Sequence, residues 1–252
     1  MNDTHDIVKA NALINASFNP GTRIQMQLIH AGLVQIKAGE TLSPERVFSV
    51  SANALADMGG TAARSHYRHL AAAAAAMRSM FITVALNPDG TDRGRRRREI
   101  NLVQHVDYIE GEGRVEWQFT NSIIPYISQL REKFTKIRAE YIMPMRSQWG
   151  MRLYELALAW LGGGDHTERE FHPDNLRHIL GLDGKYRVLK DFKTRVIFPA
   201  IEDINCYSDL RVKFGQVKAG RWVIGLQFDI RREGGAGGRS KTSPRRLAKT
   251  PP

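Results

Sequence analysis

Hydrophobic and polar positions follow one order twice along the chain. In the first half, apolar residues at helical spacing predict amphipathic helices over 7–18 and 24–36. A short strand is expected over 46–50, then a helix over 52–58 stopped by Gly59 and Gly60. Thr61 is placed to cap a second helix running through Arg64, Tyr67 and Leu70 to Met77. Strand-like runs over 80–86 and 99–109 follow, which predicts a hairpin.

The second half repeats this layout. A helix over 147–161 would place Met151, Tyr154, Leu158 and Leu161 on one face. A short strand over 169–171 precedes a helix over 173–180, which Pro173 can start and Gly181 can stop. Residues 186–204 read as helical with a break at Pro199, since proline has no amide hydrogen to donate. The strands LRVKFGQV and RWVIGLQFDI come next, with a turn at Lys218, Ala219 and Gly220. Between the halves, 119–142 reads as a helical connector bounded by Pro125 and Pro144.

Helix, strand, helix, turn, helix and hairpin is the order of a winged helix. The expected fold is therefore mainly α with small β-hairpins, in two tandem winged-helix domains. The first domain and its connector span 1–142, the second spans 143–231, and 232–252 form a basic Gly/Pro/Ser-rich tail with nothing to bury.

Charge changes the picture. Lys and Arg total 37 against 26 acids, a net charge of +11, and this favours a polyanionic partner such as duplex DNA. Arg95, Arg96, Arg97 and Arg98 fall at the tip of the first hairpin, where they would clamp phosphates or meet a partner protein. Cys206 is the only cysteine, which excludes an intrachain disulfide and a thiolate-rich zinc site and fits a reducing cytoplasm. The first ten residues lack the apolar stretch of a secretory signal. The most apolar run, 70–86, is mostly alanine and is interrupted by Arg78, so no membrane span is expected.

In a helix-turn-helix the second helix enters the major groove, so one face must be polar and the other apolar. Taken as a helix, 185–200 gathers Leu189, Phe192 and Val196 on one side at about 100° per residue. Opposite fall Arg187, Lys190, Asp191 and Thr194, with Lys193 and Arg195 on the flanks and Lys185 at the start. Asp191 stands four residues from both Arg187 and Arg195, so a solvated, ion-paired face is the competing reading. Cations still outnumber it. An Arg or Lys here would donate to guanine O6 and N7, and Thr194 would reach a phosphate or a thymine methyl. Lys213, Lys218 and Arg221 lie near the turn of the second hairpin, where a wing meets phosphates, and Trp222 is expected to pack. In the first domain Arg64, Ser65 and Arg68 are candidates for phosphate contact.

The ordered set RLYEL, DFKTRV, PAIEDIN and SDL, with the closing strand LQFDI, resembles the iteron-binding plasmid replication initiators, or Rep proteins. The resemblance is specific over 148–230 and extends in layout to 1–231. It implies a C-terminal winged helix that reads direct repeats at a plasmid origin. It also implies an N-terminal one that adds DNA contacts in the monomer and self-associates when the protein represses its own gene. The implied partners are duplex DNA, the host initiator and the replicative helicase, in a bacterial cytoplasm. The family's arginine-rich recognition segment falls on Lys193, Thr194 and Arg195. Lysine and threonine stand here where arginines are common, and lysine cannot form arginine's two-pronged contact, so the resemblance does not carry over which base pairs are read. PAIEDIN is expected to be structural, with Pro199 ending the groove-facing segment, Ile201 and Ile204 packing, and Asn205 in a left-handed cap.

Two other classes compete with this reading. A nicking enzyme with a tyrosine nucleophile and a metal needs paired histidines around one apolar residue, but the histidines stand at 5, 30, 66, 69, 105, 166, 172 and 178. No HExxH and no phosphate loop occurs, so no catalytic residue, metal or cofactor is expected. A winged-helix transcriptional repressor without a replication role would use the same surface.

Overall fold

Residues 6–18 are largely extended rather than helical. The computed structural model describes residues 6–37, 39–59, 63–92, 94 and 97–233, without the side chains of 63–68. In it Asp6–Ala10 is strand β1, Asn11–Ile14 a single turn α1, and Ser17–Phe18 the short strand β2. Helix α2, Arg23–Leu33, starts with a reciprocal cap: Thr22 Oγ1 accepts from Gln25 N–H, and Gln25 Oε1 accepts from Thr22 N–H at 2.8 Å. Strand β3 (Phe48–Ser51) and helices α3 (Ala52–Gly59) and α4 (Ala63–Met77) follow as expected; Thr61 lies outside the described residues.

The stretch expected as one strand over 99–109 is divided at buried Leu102. After β4 (Phe81–Val84), β5 (Arg98–Asn101) pairs with β4, whereas β6 (Val103–Ile109) turns to pair with β7 (Arg114–Phe119). The helical connector over 119–142 is corrected too. It holds a 3-10 turn at Ile124–Tyr126 around Pro125, strand β8 (Phe134–Arg138) and only one α turn, α5 (Ala139–Ile142). β8 pairs antiparallel with β1, Ile7 opposite Ile137. Each strand gains its identity from a partner remote in sequence, which a local periodicity reading cannot see.

The second half follows its forecast more closely. Ser147 accepts from Gly150 N–H at 2.9 Å and starts α6, Gln148–Leu161. Then come β9 (His166–Phe171), α7 (Pro173–Ile179), α8 (Leu189–Phe192), a π turn over Lys193–Ile197, α9 (Phe198–Tyr207), β10 (Leu210–Ala219) and β11 (Trp222–Arg232). The sheets run β1-β8, β2-β4-β5, β3-β7-β6 and β10-β11-β9. With eleven strands in four sheets among the described residues, the fold is mixed rather than mainly α.

Helix α6 is the spine joining the halves. It is buried on nearly every side, packing on α9 and β9 at one end of its circumference and on α1, α2 and β8 elsewhere. PAIEDIN is structural as expected, because Asp203 caps α6: its carboxylate accepts from Ser147 N–H at 2.7 Å and Ser147 Oγ at 2.6 Å. A Cβ at position 150 would overlap that carboxylate, so Gly150 permits the approach. Asn205 is not left-handed. It sits within α9 and bonds both backbone groups of Val212, tying the wing to the helix.

The two modules also touch directly, through Ser17 Oγ donating to His178 O at 2.6 Å. Gly181 has φ +61°, and a Cβ there would overlap the backbone of Phe18 and Asn19. Gly181→Ala should therefore lower the melting midpoint and speed amide exchange at 17–19, because strain and overlap act on the same residue. Unchanged exchange there would show that the modules do not rely on this contact.

Inside α6, Arg152 and Glu155 of RLYEL are buried. Glu155 Oε1 meets Lys9 Nζ and His30 Nε2, each at 2.7 Å, and Oε2 meets Arg152 at 3.1 Å. Arg152 also donates to Ile14 O at 2.7 Å and Ala16 O at 2.8 Å. Burial alone would push the Glu155 carboxyl up, but Lys9, His30 and Arg152 together hold it well below the usual carboxylate range. Burial outweighs the pull of Glu155 on His30 and keeps the imidazole below its ordinary range. Below about pH 6.5 the unfolded chain then takes up a proton that the folded chain refuses, so His30 costs stability as pH falls through that value. The melting midpoint should fall between pH 7.5 and 5.5. His30→Gln, which keeps a donor for Glu155 but does not titrate, should flatten that dependence.

Candidate nucleic-acid interface

The candidate surface begins in the turn before α8. Leu182 N–H donates to Arg177 O at 2.8 Å, closing α7, and Tyr186 then takes φ +49°, a left-handed value that an aromatic residue rarely adopts. Buried Arg177 holds the turn, donating to Tyr186 O at 3.2 Å and Arg187 O at 3.3 Å, while its guanidinium lies 4.8 Å from the centre of the Phe192 ring. Lys185 and Arg187 are exposed in this turn. They are not on the helix, which starts only at Leu189, because the left-handed residue interrupts the helical path.

From Leu189 to Tyr207 the helix is continuous, and the break expected at Pro199 does not occur. The π turn is the reason. Phe198 N–H donates to Lys193 O, five residues back, so the widened turn absorbs the proline's missing donor and its ring. Phe192 and Val196 are buried beneath, and Leu189 packs against the core. Lys190, Thr194 and Arg195 are exposed outside, with Lys193 half-buried. Lys193 Nζ donates to Gln216 Oε1 of β10 at 3.1 Å, and Thr194 Oγ donates to Lys190 O at 2.8 Å. Asp191 forms no ion pair with Arg187 or Arg195 among the described residues.

The wing differs at its tip. Its turn is Gly220 and Arg221, with Ala219 opposite Trp222, one residue beyond the expected position. Lys213, Lys218 and Arg221 are exposed. Trp222 does not pack into the core: it is 66% exposed, with the Arg221 guanidinium 5.0 Å from its ring centre. Trp222 stands beside the turn, beyond the bulge at Val217 and Lys218.

In the first module α4 carries Arg64, Ser65 and Arg68, whose side chains lie outside the described residues, as do Arg95 and Arg96. Arg97 and Arg98 are exposed. A cleft of about 1010 Å³ between the modules brings Arg97 and Lys185 together with Asn19, His178 and half-exposed Phe81. Sequence reading missed this cleft. The alternation of Ile82 and Val84 inward does leave Phe81 outward, a signal that was present.

Among the described residues, His166, Glu168 and Asp229 converge as ligand-type groups on β9 and β11. Asp229 is already engaged by His166 Nε2 at 2.9 Å and Arg231 at 3.1 Å, partners that hold its carboxyl below the usual range, Arg231 foremost. A cross-strand hydrogen bond from His166 and the neighbouring Arg231 already occupy the Asp229 carboxylate.

Residues 6–158 match the family described as Initiator Replication protein, WH1, and residues 173–230 match Initiator Rep protein, WH2. A replication initiation protein of Escherichia coli is 28% identical over 124 residues, covering 46% of this chain and 37% of that protein. The match thus spans little more than a third of the relative's length. The crystal structure of Pi initiator protein in complex with iteron DNA superposes with a TM-score of 0.71 at 23% identity, over 92% of this chain and 99% of that one. The shared fold is a tandem of two winged helices. With WH1 and WH2 matched in order over most of its length, the chain belongs to the initiator replication protein family.

Proposed function

We propose that this protein is a plasmid replication initiator that binds direct repeats at its origin as a monomer. The observation that carries the reading is the cationic face made by Lys185, Arg187, Lys190, Lys193 and Arg195, exposed or half-exposed above a buried apolar underside. Such a face suits the wide groove of a duplex, with Lys213, Lys218 and Arg221 of the wing on neighbouring phosphates. Family membership supports it, as does the fold shared with the Pi initiator, which was crystallised with iteron DNA. In this reading 143–231 is the main reader. The unit 1–142 adds phosphate contacts through Arg64, Ser65, Arg68 and Arg97, and self-associates when the protein represses its own gene.

The protein acts by binding rather than by catalysis, recruiting the host initiator and replicative helicase in the bacterial cytoplasm. No helix among the described residues is long and apolar enough to cross a membrane. The test is footprinting on the DNA beside the gene, with a plasmid carrying that DNA supplied with the protein in trans. Protection of an array of direct repeats and replication of the plasmid are expected. Protection without replication would leave a repressor only.

The tail beyond 233 lies outside the described residues; its basic residues Arg239, Lys241, Arg245, Arg246 and Lys249 would act as a tether to phosphate. Deleting 233–252 should reduce the salt dependence of binding while preserving site choice, read from the slope of log affinity against log salt. An altered choice of site would count against the tether.

A further inference from the structure

The residue at the head of the reading helix is unsuited to its local position. Val188 is the N-cap of α8, where Ser, Thr, Asp or Asn would satisfy an unpaired amide, and it makes no side-chain cap. It is also 61% exposed, a β-branched apolar side chain held in water among Arg187, Lys190 and Asp191. Neither helix initiation nor core packing accounts for it.

The surroundings keep it in place. The left-handed Tyr186 lies two residues earlier, and buried Arg177 grips the carbonyls of Tyr186 and Arg187. The backbone leading into Val188 is therefore fixed, at the cost of a strained aromatic residue, as expected where geometry must be set before binding. Leu189 turns inward to the core, leaving Val188 as a small apolar spot in a cationic surface.

We infer that Val188 is a specificity residue that packs against the 5-methyl group of a thymine in the bound repeat. Helix N-termini reach base edges in helix-turn-helix proteins. The thymine methyl is the apolar group on the major-groove edge, where the other bases present donors and acceptors. The cations around Val188 match phosphate, so DNA fits the patch better than an apolar protein surface would. The inference rests on the proposed DNA reading and adds to it a base type and a contact.

The experiment uses the full chain and a duplex carrying one footprinted repeat, with each thymine replaced in turn by uracil so that only a methyl is lost. For the wild type, one substitution should weaken binding by about 4- to 15-fold, the scale of one or two buried methylenes. Val188→Ala should lose a similar factor on the thymine duplex and nothing further on that uracil duplex. Val188→Thr, which keeps one methyl and the branched shape, should fall between them. A uracil profile identical in wild type and Val188→Ala overturns the inference, and so does a uniform loss on every duplex. In both of those results the DNA reading stands, because the wild type still binds its repeat. A wild type that binds no repeat overturns both.

Discussion

Glu155→Ala should destabilise the protein by about 3–5 kcal/mol, the cost of leaving buried charges without their counterion. Glu155 is fully buried and is the acceptor shared by Lys9, His30 and Arg152. Removing it strands Lys9 most severely, since Arg152 keeps the carbonyls of Ile14 and Ala16. For a chain of this size the melting midpoint should drop by very roughly 10 °C. Replacing both partners, as in Lys9→Met with Glu155→Met, should recover part of the loss, because the penalty lies in the uncompensated charge and not in the missing attraction. A drop below about 1 kcal/mol for Glu155→Ala would mean that water reaches the cluster.

Arg195→Ala should weaken binding to repeat DNA by about 1–3 kcal/mol while barely changing binding to random duplex, if its guanidinium reads a base. Arg195 is exposed on the outer face of the π turn and its side chain makes no hydrogen bond or ion pair among the described residues, so its fork is unengaged. Arg195→Lys should recover little, since a point donor does not replace two parallel bonds. Lys193→Ala should give a comparable selective loss, but Lys193 also holds Gln216. Gln216→Ala and the double variant separate the two contributions: losses that add indicate independent roles. Equal losses for every sequence would assign both residues to phosphate alone.

The winged-helix order was readable because its signals are local. Gly59 and Gly181 end helices, Ser147 and Pro173 lie at helix starts, and Val212, Leu226, Phe228 and Ile230 alternate inward along a hairpin. The exposure of Lys190, Thr194 and Arg195 follows from the same helical period. Reading failed where a distant partner decides conformation. Ile7 is apolar at a spacing that suits either a helix or a strand, and only Ile137 opposite it makes the strand. Pro199 looked like a helix end because a local rule has no knowledge of a π turn. Trp222 looked like core because aromatic residues usually are, yet it stands beside the turn at Gly220 and Arg221 and is exposed.

The amino-acid order by itself determined most element types of the C-terminal module, the net positive charge, and the apolar underside of the helix from Leu189. Those depend on periodicity and composition, which act over a few residues. The tertiary structure alone decided that Arg152 and Glu155 face inward to meet Lys9 and His30, that Tyr186 is held left-handed by Arg177, and that Arg97 and Lys185 share a cleft. The first and last of these join residues far apart along the chain, and the second joins a helix to the turn nine residues on; burial and hydrogen bonding there are properties of the packed assembly and not of a local period.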